Sequence, residues 1–131
     1  MRVLTLSIIP TLLAIVRLEP SSAIPLWGIQ GKDFFSITRT RDELSVVCAE
    51  DLVSQSALED ARIERGWRVL KVEGPLDFGL TGVLASLAQP LADAGISIFA
   101  ISTFDTDYLM VKQEKFQKAV AVLGTFCKIQ S

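Results

Sequence analysis

The chain has 131 residues, of which 50% are hydrophobic and 21% charged, and its formal net charge is −2 at pH 7. This composition excludes a disordered chain, because a chain of this length has enough apolar residues to bury a core. The basic residues are spread along the sequence, so no positive stripe follows a nucleic acid backbone, and we expect no nucleic acid partner. The sequence has no histidine, which removes the commonest general base and metal ligand. We therefore expect neither a metal site nor a cofactor.

The apolar run at residues 1–16 superficially resembles a secretory signal, because it combines an early arginine with an apolar centre. Pro10 interrupts this run, and the run is too short and too broken for a membrane span. We predict instead that it is retained as two strands, at residues 3–8 and 12–18, with Pro10 at the turn between them. On this interpretation the protein is cytoplasmic and has no membrane partner.

The two cysteines, Cys48 and Cys127, are far apart in sequence, and each lies in an apolar run. This placement favours two buried, reduced thiols over a disulfide bond. Reduced thiols fit a cytosolic protein.

The first half of the chain contains few helix signals. Residues 20–31 are rich in Pro, Ser and Gly and carry Trp27, which indicates a short helical turn or a loop. Two β-branched and aromatic runs, at residues 34–40 and 44–49, flank a charged turn and predict a hairpin. Residues 56–64 predict a helix of marginal length, which Gly66 would end.

The second half has a clearer pattern of strand, helix, strand, strand and helix. The predicted elements are a strand at 69–73, a helix at 79–93, a strand at 96–103, a second strand reaching 111, and a helix at 113–123. The last helix is predicted from an apolar stripe formed by Phe116, Ala119, Val120 and Leu123. Pro90 lies inside the first helical pattern, where it is expected to kink, split or curve the helix.

The predicted strand at 96–103 carries apolar residues on both faces. One face is expected to pack against the two helices. An exposed sheet face normally alternates to polar residues, so the second face also needs cover, from a partner module or a second subunit.

The segment 101–107, with the sequence Ile-Ser-Thr-Phe-Asp-Thr-Asp, precedes an apolar strand and resembles the ACT-domain family. It is most similar to the small-molecule-binding subfamily that includes standalone bacterial tandem ACT-like proteins and a cytosolic arginine sensor of animals. The hairpin runs at 34–40 and 43–47 resemble the opening of the same subfamily. The resemblance implies an α+β fold of two fused ferredoxin-like modules of the βαββαβ type, at residues 1–65 and 66–131, with antiparallel sheets and helices on one face.

The resemblance also implies a function. The expected protein is a non-catalytic sensor that binds a free amino acid at the interface between ACT modules, and its other partner is a second copy or a regulated protein. The sequence offers no nucleophile with a matched base and no phosphate-binding glycine loop, so no enzymatic activity is expected. The alternative is a structural or protein-interaction module that assembles through ACT-like surfaces without a small ligand.

One candidate ligand segment enters the predicted helix at 79–93. Gly79, Leu80, Thr81 and Gly82 precede or begin this helix, whose first amides lack partners and carry the positive end of the helix dipole. A ligand carboxylate could bind there. The structural alternative is that Asp77 or Thr81 caps the helix and the glycines only serve the turn.

The other candidate segment is the turn at 102–107. Asp107 could bind an ammonium group and Phe104 could cover an aliphatic side chain, whereas the structural alternative is a solvated turn with a core phenylalanine. The resemblance places Thr103, Phe104 and Asp107 in the ligand pocket, and we interpret Asp105 as a turn residue. Arginine-binding relatives carry an acidic residue where this chain has Leu80, so a neutral or smaller amino acid is as plausible a ligand as arginine.

Overall fold

A computed structural model of the chain describes residues 3–53, 61–74 and 82–131. In chain order the strands and α-helices are β1 (Thr5–Leu18), β2 (Ser36–Arg39), β3 (Leu44–Ala49), β4 (Arg62–Val72), α1 (Val83–Asp93), β5 (Ile98–Ser102), β6 (Asp107–Lys112), α2 (Gln113–Leu123) and β7 (Lys128–Gln130). Two short 3-10 helices, Leu26–Ile29 and Glu50–Leu52, flank β2 and β3 in the sequence. The described helices have at most eleven residues, and none is long and apolar enough to span a membrane.

The chain divides into two compact units. The terminal unit contains Met1–Pro10 and Trp67–Ser131, and the internal unit contains Thr11–Gly66. The predicted pair of modules at 1–65 and 66–131 stays a prediction. The compact units differ from it in placing the first ten residues with the C-terminal segment.

The terminal unit is a sheet covered by two helices. Its strand order is β7, β1, β4, β6 and β5. β6 is antiparallel to both β4 and β5, whereas β7 runs parallel to β1 through pairs such as Thr5↔Lys128. Alternate residues of β4 and β6 face α1 and α2, as the pleat of a strand requires. The buried residues of this core are Leu6, Leu70, Val72, Leu87, Leu91, Ile96, Leu109, Val111, Phe116, Ala119, Leu123 and Cys127.

The coarse fold prediction is therefore confirmed as a mixed fold of mostly antiparallel strands with two helices. The helix predicted at 113–123 is confirmed as α2, with Phe116, Ala119 and Leu123 buried as the stripe requires. α1 continues through Pro90 without splitting and ends three residues later, at Asp93. Gly95 then terminates the turn with a φ of 75°, a left-handed conformation that glycine adopts easily.

The sheet face opposite the helices is also buried at its centre. Val69 and Met110 are paired across β4 and β6, and both are fully buried. Neighbouring Trp67 and Phe99 lie with their ring centroids 6.1 Å apart. The expectation for the predicted strand at 96–103 stays a prediction, because the residues of β5 are half-buried or exposed.

The internal unit is built from β2, β3, the second part of β1 and the first residues of β4, up to Gly66. β3 pairs antiparallel with β1, from Leu13↔Ala49 to Leu18↔Leu44, and with β2 on its other side. The hairpin predicted at 34–40 and 44–49 is thus confirmed. The buried cluster consists of Ala14, Val16, Leu44, Val46, Cys48 and Val53. The helical turn predicted around Trp27 is confirmed as Leu26–Ile29, and its buried Gly28 lies so close to β3 that a Cβ there would be 2.9 Å from Val46 Cγ1.

The prediction of a turn at Pro10 is wrong, because β1 is one strand that passes through Pro10. The position tolerates proline since it lies between the residues that pair with β7 and those that pair with β3. No ladder hydrogen bond of these two pairings requires the missing N–H at Pro10.

The helix predicted at 56–64 is wrong at its C-terminal end, where residues 62–64 begin β4, and its residues 56–60 lie outside the described part. Gly66 does not end a helix. It lies within β4 with a φ of 78°, and its N–H donates a hydrogen bond of 2.8 Å to Glu50 Oε1. β7 is the closing strand of the βαββαβ order that the family resemblance implies, although the residue pattern alone did not predict it.

The two thiols are free and buried, as predicted. Burial, and secondarily the nearby carboxylate of Asp51, raises the pKa of the Cys48 thiol to about 11. Burial also raises the pKa of the Cys127 thiol. Because the thiolate is the reactive form, both side chains are expected to react slowly at neutral pH.

Candidate functional site

The turn that joins β5 to β6 holds three of the predicted site residues. Ser102 and Asp107 form the last pair of the two strands, and Ser102 Oγ donates a hydrogen bond of 2.5 Å to Asp107 Oδ1. The backbone N–H of Thr103 donates to the carbonyl oxygen of Thr106 at 2.8 Å, and the Thr103 hydroxyl donates to the same oxygen at 3.1 Å. These bonds fix the conformation of a short turn that carries polar groups.

Thr106 anchors this turn to the neighbouring strand. It is only 5% exposed, and its hydroxyl donates a hydrogen bond of 2.5 Å to the carbonyl oxygen of Val72, the last residue of β4. Without this donor the Val72 carbonyl would lose a buried partner. Sequence reasoning missed Thr106, because a threonine in a polar turn gives no hydropathy signal that distinguishes it from its exposed neighbours.

Phe104 and Asp105 lie on the outside of the turn. Phe104 is 79% exposed, which is unusual for a phenylalanine, so the interpretation of Phe104 as a core residue is wrong. Asp105 is exposed, whereas Asp107 is half-buried at the base of the turn. The turn thus presents an aromatic ring and a carboxylate that accepts one internal hydrogen bond.

The second candidate segment is described only at Gly82, since Gly79, Leu80 and Thr81 lie outside the described residues. Gly82 precedes α1 with a φ of 78°, and its carbonyl accepts the first helical hydrogen bond, from Ser86 N–H at 2.8 Å. Glycine has no side chain to cap the helix. The amides in the first turn of α1 therefore donate no capping bond to a Gly82 side chain. These amides lie at the N-terminal end of the helix, where the helix dipole is positive.

The structure brings Thr103, Phe104 and Asp107 together in one turn and places Gly82 at the start of the helix that follows β4. The bond from Thr106 to Val72 holds that turn at the end of β4 from which the chain continues towards Gly82. The roles of these residues in ligand binding remain predictions. Within the described ranges, no group of three or more cysteine, aspartate or glutamate side chains could hold a metal ion.

Two family models match separate parts of this chain. A family model described as an ACT domain matches residues 62–125, which include the turn and the start of α1. A second family model, described as an N-terminal domain, matches residues 12–56.

One curated relative is the human cytosolic arginine sensor for mTORC1 subunit 1, which is 40% identical over 58 residues. That alignment covers 44% of this chain and 18% of the sensor, so the chain spans less than a fifth of the relative's length.

Two solved structures resemble the whole chain. The crystal structure of protein Atu0741 from Agobacterium tumefaciens is 39% identical, with a TM-score of 0.88, and the match covers 100% of this chain and 94% of that one. The ligand-free regulatory subunit of aspartate kinase from Thermus thermophilus has a TM-score of 0.65 at 14% identity, covering 92% and 95% of the two chains. At that identity the second likeness shows a shared fold.

Proposed function

Because the chain belongs to the ACT-domain family, we propose that it is a non-catalytic regulatory protein that binds a free amino acid. The observation that carries this proposal is the ACT match over residues 62–125, because that range contains both candidate ligand segments. The relative named as an arginine sensor supports an amino acid as the ligand class. The cytosolic location of that sensor supports a cytosolic location for this protein.

The proposed ligand lies between the start of α1 and the turn from β5 to β6. Its carboxylate binds amides around residues 79–82, where the helix dipole favours an anion. Its ammonium group binds Asp107, whose second carboxylate oxygen complements a cation. The Thr103 hydroxyl adds a polar contact, and the exposed ring of Phe104 covers the ligand's side chain.

The side chain of the ligand is proposed to be neutral. Leu80 offers no charge to an arginine guanidinium, and a buried guanidinium without a carboxylate partner would weaken binding. A small or apolar amino acid avoids that cost.

Beyond the ligand site, we propose that the chain consists of two fused ACT-like modules at 1–65 and 66–131. Amino acid binding would then change how the protein associates with a second copy or with a regulated protein. The competing function is a pure interaction module, in which the same surfaces assemble without a small ligand.

A thermal-shift panel of the amino acids distinguishes these two functions. A ligand that binds only the folded protein stabilises it by RT ln(1 + [L]/Kd), so one amino acid should raise the melting temperature in a concentration-dependent way. A flat panel would support the interaction module instead.

Calorimetric titration with the stabilising amino acid then tests the site. Asp107→Ala should reduce affinity by about tenfold or more, because it removes a charge-assisted hydrogen bond at a half-buried carboxylate. Asp105→Ala is the matched control, since Asp105 is exposed two residues away, and it should leave the affinity within about twofold. Equal affinities in the two variants would show that Asp107 is only a turn residue.

A further inference from the structure

The internal unit has a cavity of about 250 Å³, lined by both polar and apolar groups, that is separate from the candidate segments described above. It lies between the loop after the first 3-10 helix and the second 3-10 helix, Glu50–Leu52. Its lining includes Thr11, Lys32, Asp33, Phe34, Asp51 and Leu52. Pockets for drug-sized ligands measure about 300–1,000 Å³, so this cavity suits a smaller molecule.

The cavity is lined by charges of both signs that do not neutralise each other. The ion pairs found among the described residues are Arg17–Glu19 and Lys71–Glu73, so Lys32 and Asp51 are not in ion pairs with each other or with another described residue. Asp33 accepts a hydrogen bond from the Thr11 hydroxyl, which orients its carboxylate. One ammonium group and one carboxylate therefore remain for a ligand that carries both opposite charges.

Gly31 keeps the wall of the cavity open. A Cβ at this position would lie 3.3 Å from the carbonyl oxygen of Phe34 and 3.7 Å from Leu52 Cδ1. A side chain at residue 31 would therefore crowd the Phe34 carbonyl oxygen and touch Leu52 at an ordinary contact distance. Phe34 and Leu52, both half-buried, give the lining an apolar part beside its charged part.

We propose that this cavity is a second binding site, specific for the zwitterion of a small apolar amino acid. The ligand carboxylate binds Lys32, and the ligand ammonium binds Asp51. The apolar wall formed by Phe34 and Leu52 contacts a short side chain. A metal ion does not fit this lining, because the described residues contain no group of three acidic or thiol ligands.

NMR titration of the full-length, 15N-labelled protein with L-alanine tests this site. The backbone amides of Gly31, Lys32 and Asp51 should shift saturably. Propionate, which lacks the ammonium group, and ethylamine, which lacks the carboxylate, should each bind at least about tenfold more weakly, because each can form only one of the two charge-assisted contacts. Lys32→Gln and Asp51→Asn should each weaken L-alanine binding by a similar factor while preserving side-chain size.

Asp107→Ala is the control, since it lies in the terminal unit and should not change the titration at Gly31. Shifts confined to residues 102–107 would support the ACT-type site and overturn the proposal for the cavity. Equal binding of L-alanine and ethylamine would also overturn it, as would the absence of saturable shifts at Gly31, Lys32 and Asp51 up to about 20 mM, a weaker affinity than most specific sites have.

Discussion

The two units of the chain bury their cores in different ways. In the terminal unit, α1 and α2 cover one sheet face, and the described cluster has twelve buried residues. In the internal unit, the described residues form only 3-10 helices beside the strands, and the described cluster has six buried residues. Since apolar burial is the dominant favourable term in folding, the terminal unit is expected to be the more stable of the two. The comparison indicates that α1 and α2 mainly add buried apolar area to the terminal unit. The stability of the internal unit is therefore expected to depend more on each of its individual contacts.

The largest expected loss of stability comes from truncating one buried leucine in each unit. Leu109→Ala in β6 and Leu44→Ala in β3 should each cost about 2–5 kcal/mol, because both leucines are fully buried and leave cavities. Amide hydrogen exchange, measured for each unit, should show that Leu44→Ala increases the exchange rates in β2 and β3 more than those in α2.

The control for this pair is Leu26→Ala. Leu26 is 72% exposed, and its truncation should change stability by about 0.5 kcal/mol or less. Equal loss of protection in both units from either buried variant would mean that the units unfold together, and would remove the proposed difference in their stabilities.

The second expected effect is a pH dependence of folding stability, and variants of the two cysteines are compared to measure it. The pKa of Cys48 is raised to about 11 in the folded protein, so between pH 9 and 11 the unfolded chain loses a proton that the folded chain keeps. Stability contributed by the neutral thiol is complete below pH 9 and is lost as pH rises towards 11, by at most about 3 kcal/mol.

Urea unfolding of the wild type, Cys48→Ala and Cys127→Ala at pH 7 and pH 10 measures this effect. The stability advantage of the wild type over Cys48→Ala should shrink at pH 10. An advantage that is the same at both pH values would show that Cys48 ionises in the folded state as readily as in the unfolded state.

A smaller effect is expected from Thr106→Val. This change preserves the shape of the side chain but leaves the Val72 carbonyl without its donor, and it should cost about 1–3 kcal/mol. Thr103→Val is the comparison, because the Thr103 hydroxyl donates to a carbonyl that also accepts the Thr103 N–H. Thermal unfolding should give Thr106→Val a lower melting temperature than Thr103→Val. The reverse order would show that Thr106 does not anchor the turn.

The smallest expected effect is the same in both units. Gly66 in the internal unit and Gly95 in the terminal unit have φ values of 78° and 75°, and neither would place a Cβ within 4 Å of another residue. Replacement by alanine should therefore cost about 1 kcal/mol at each site from backbone strain alone. Chemical denaturation that finds a clearly larger cost at Gly66 would indicate that the internal unit also depends on the geometry of β4.

The sequence predicted those elements whose pattern is local. The stripe of α2 and the hairpin of β2 and β3 follow from residue periodicity and turn chemistry, and both are confirmed. The segment containing Thr103, Phe104 and Asp107 was recognised from its residues alone. The family to which it points is confirmed by the match over residues 62–125.

Features that depend on distant partners were missed. The turn predicted at Pro10 is wrong, because proline disrupts a ladder only where its N–H is needed, and Pro10 lies outside the residues that pair with β7 and with β3. β7 has three residues and no strong pattern, and it forms a strand because β1 provides an edge. Thr106 gave no signal because its partner, Val72, is 34 residues away.

The parallel pairing of Thr5 with Lys128 has a consequence for synthesis on the ribosome. All residues of the internal unit, Thr11–Gly66, are synthesised before the terminal unit can close, because that unit includes β7 at residues 128–130. β1 can meet its neighbour β4 much earlier, but its pairing with β7 has to wait until residues 128–130 have been made. Such long-range closure slows folding, so the edge of β1 that β7 covers stays exposed on the nascent chain after the other described pairings of β1 can form.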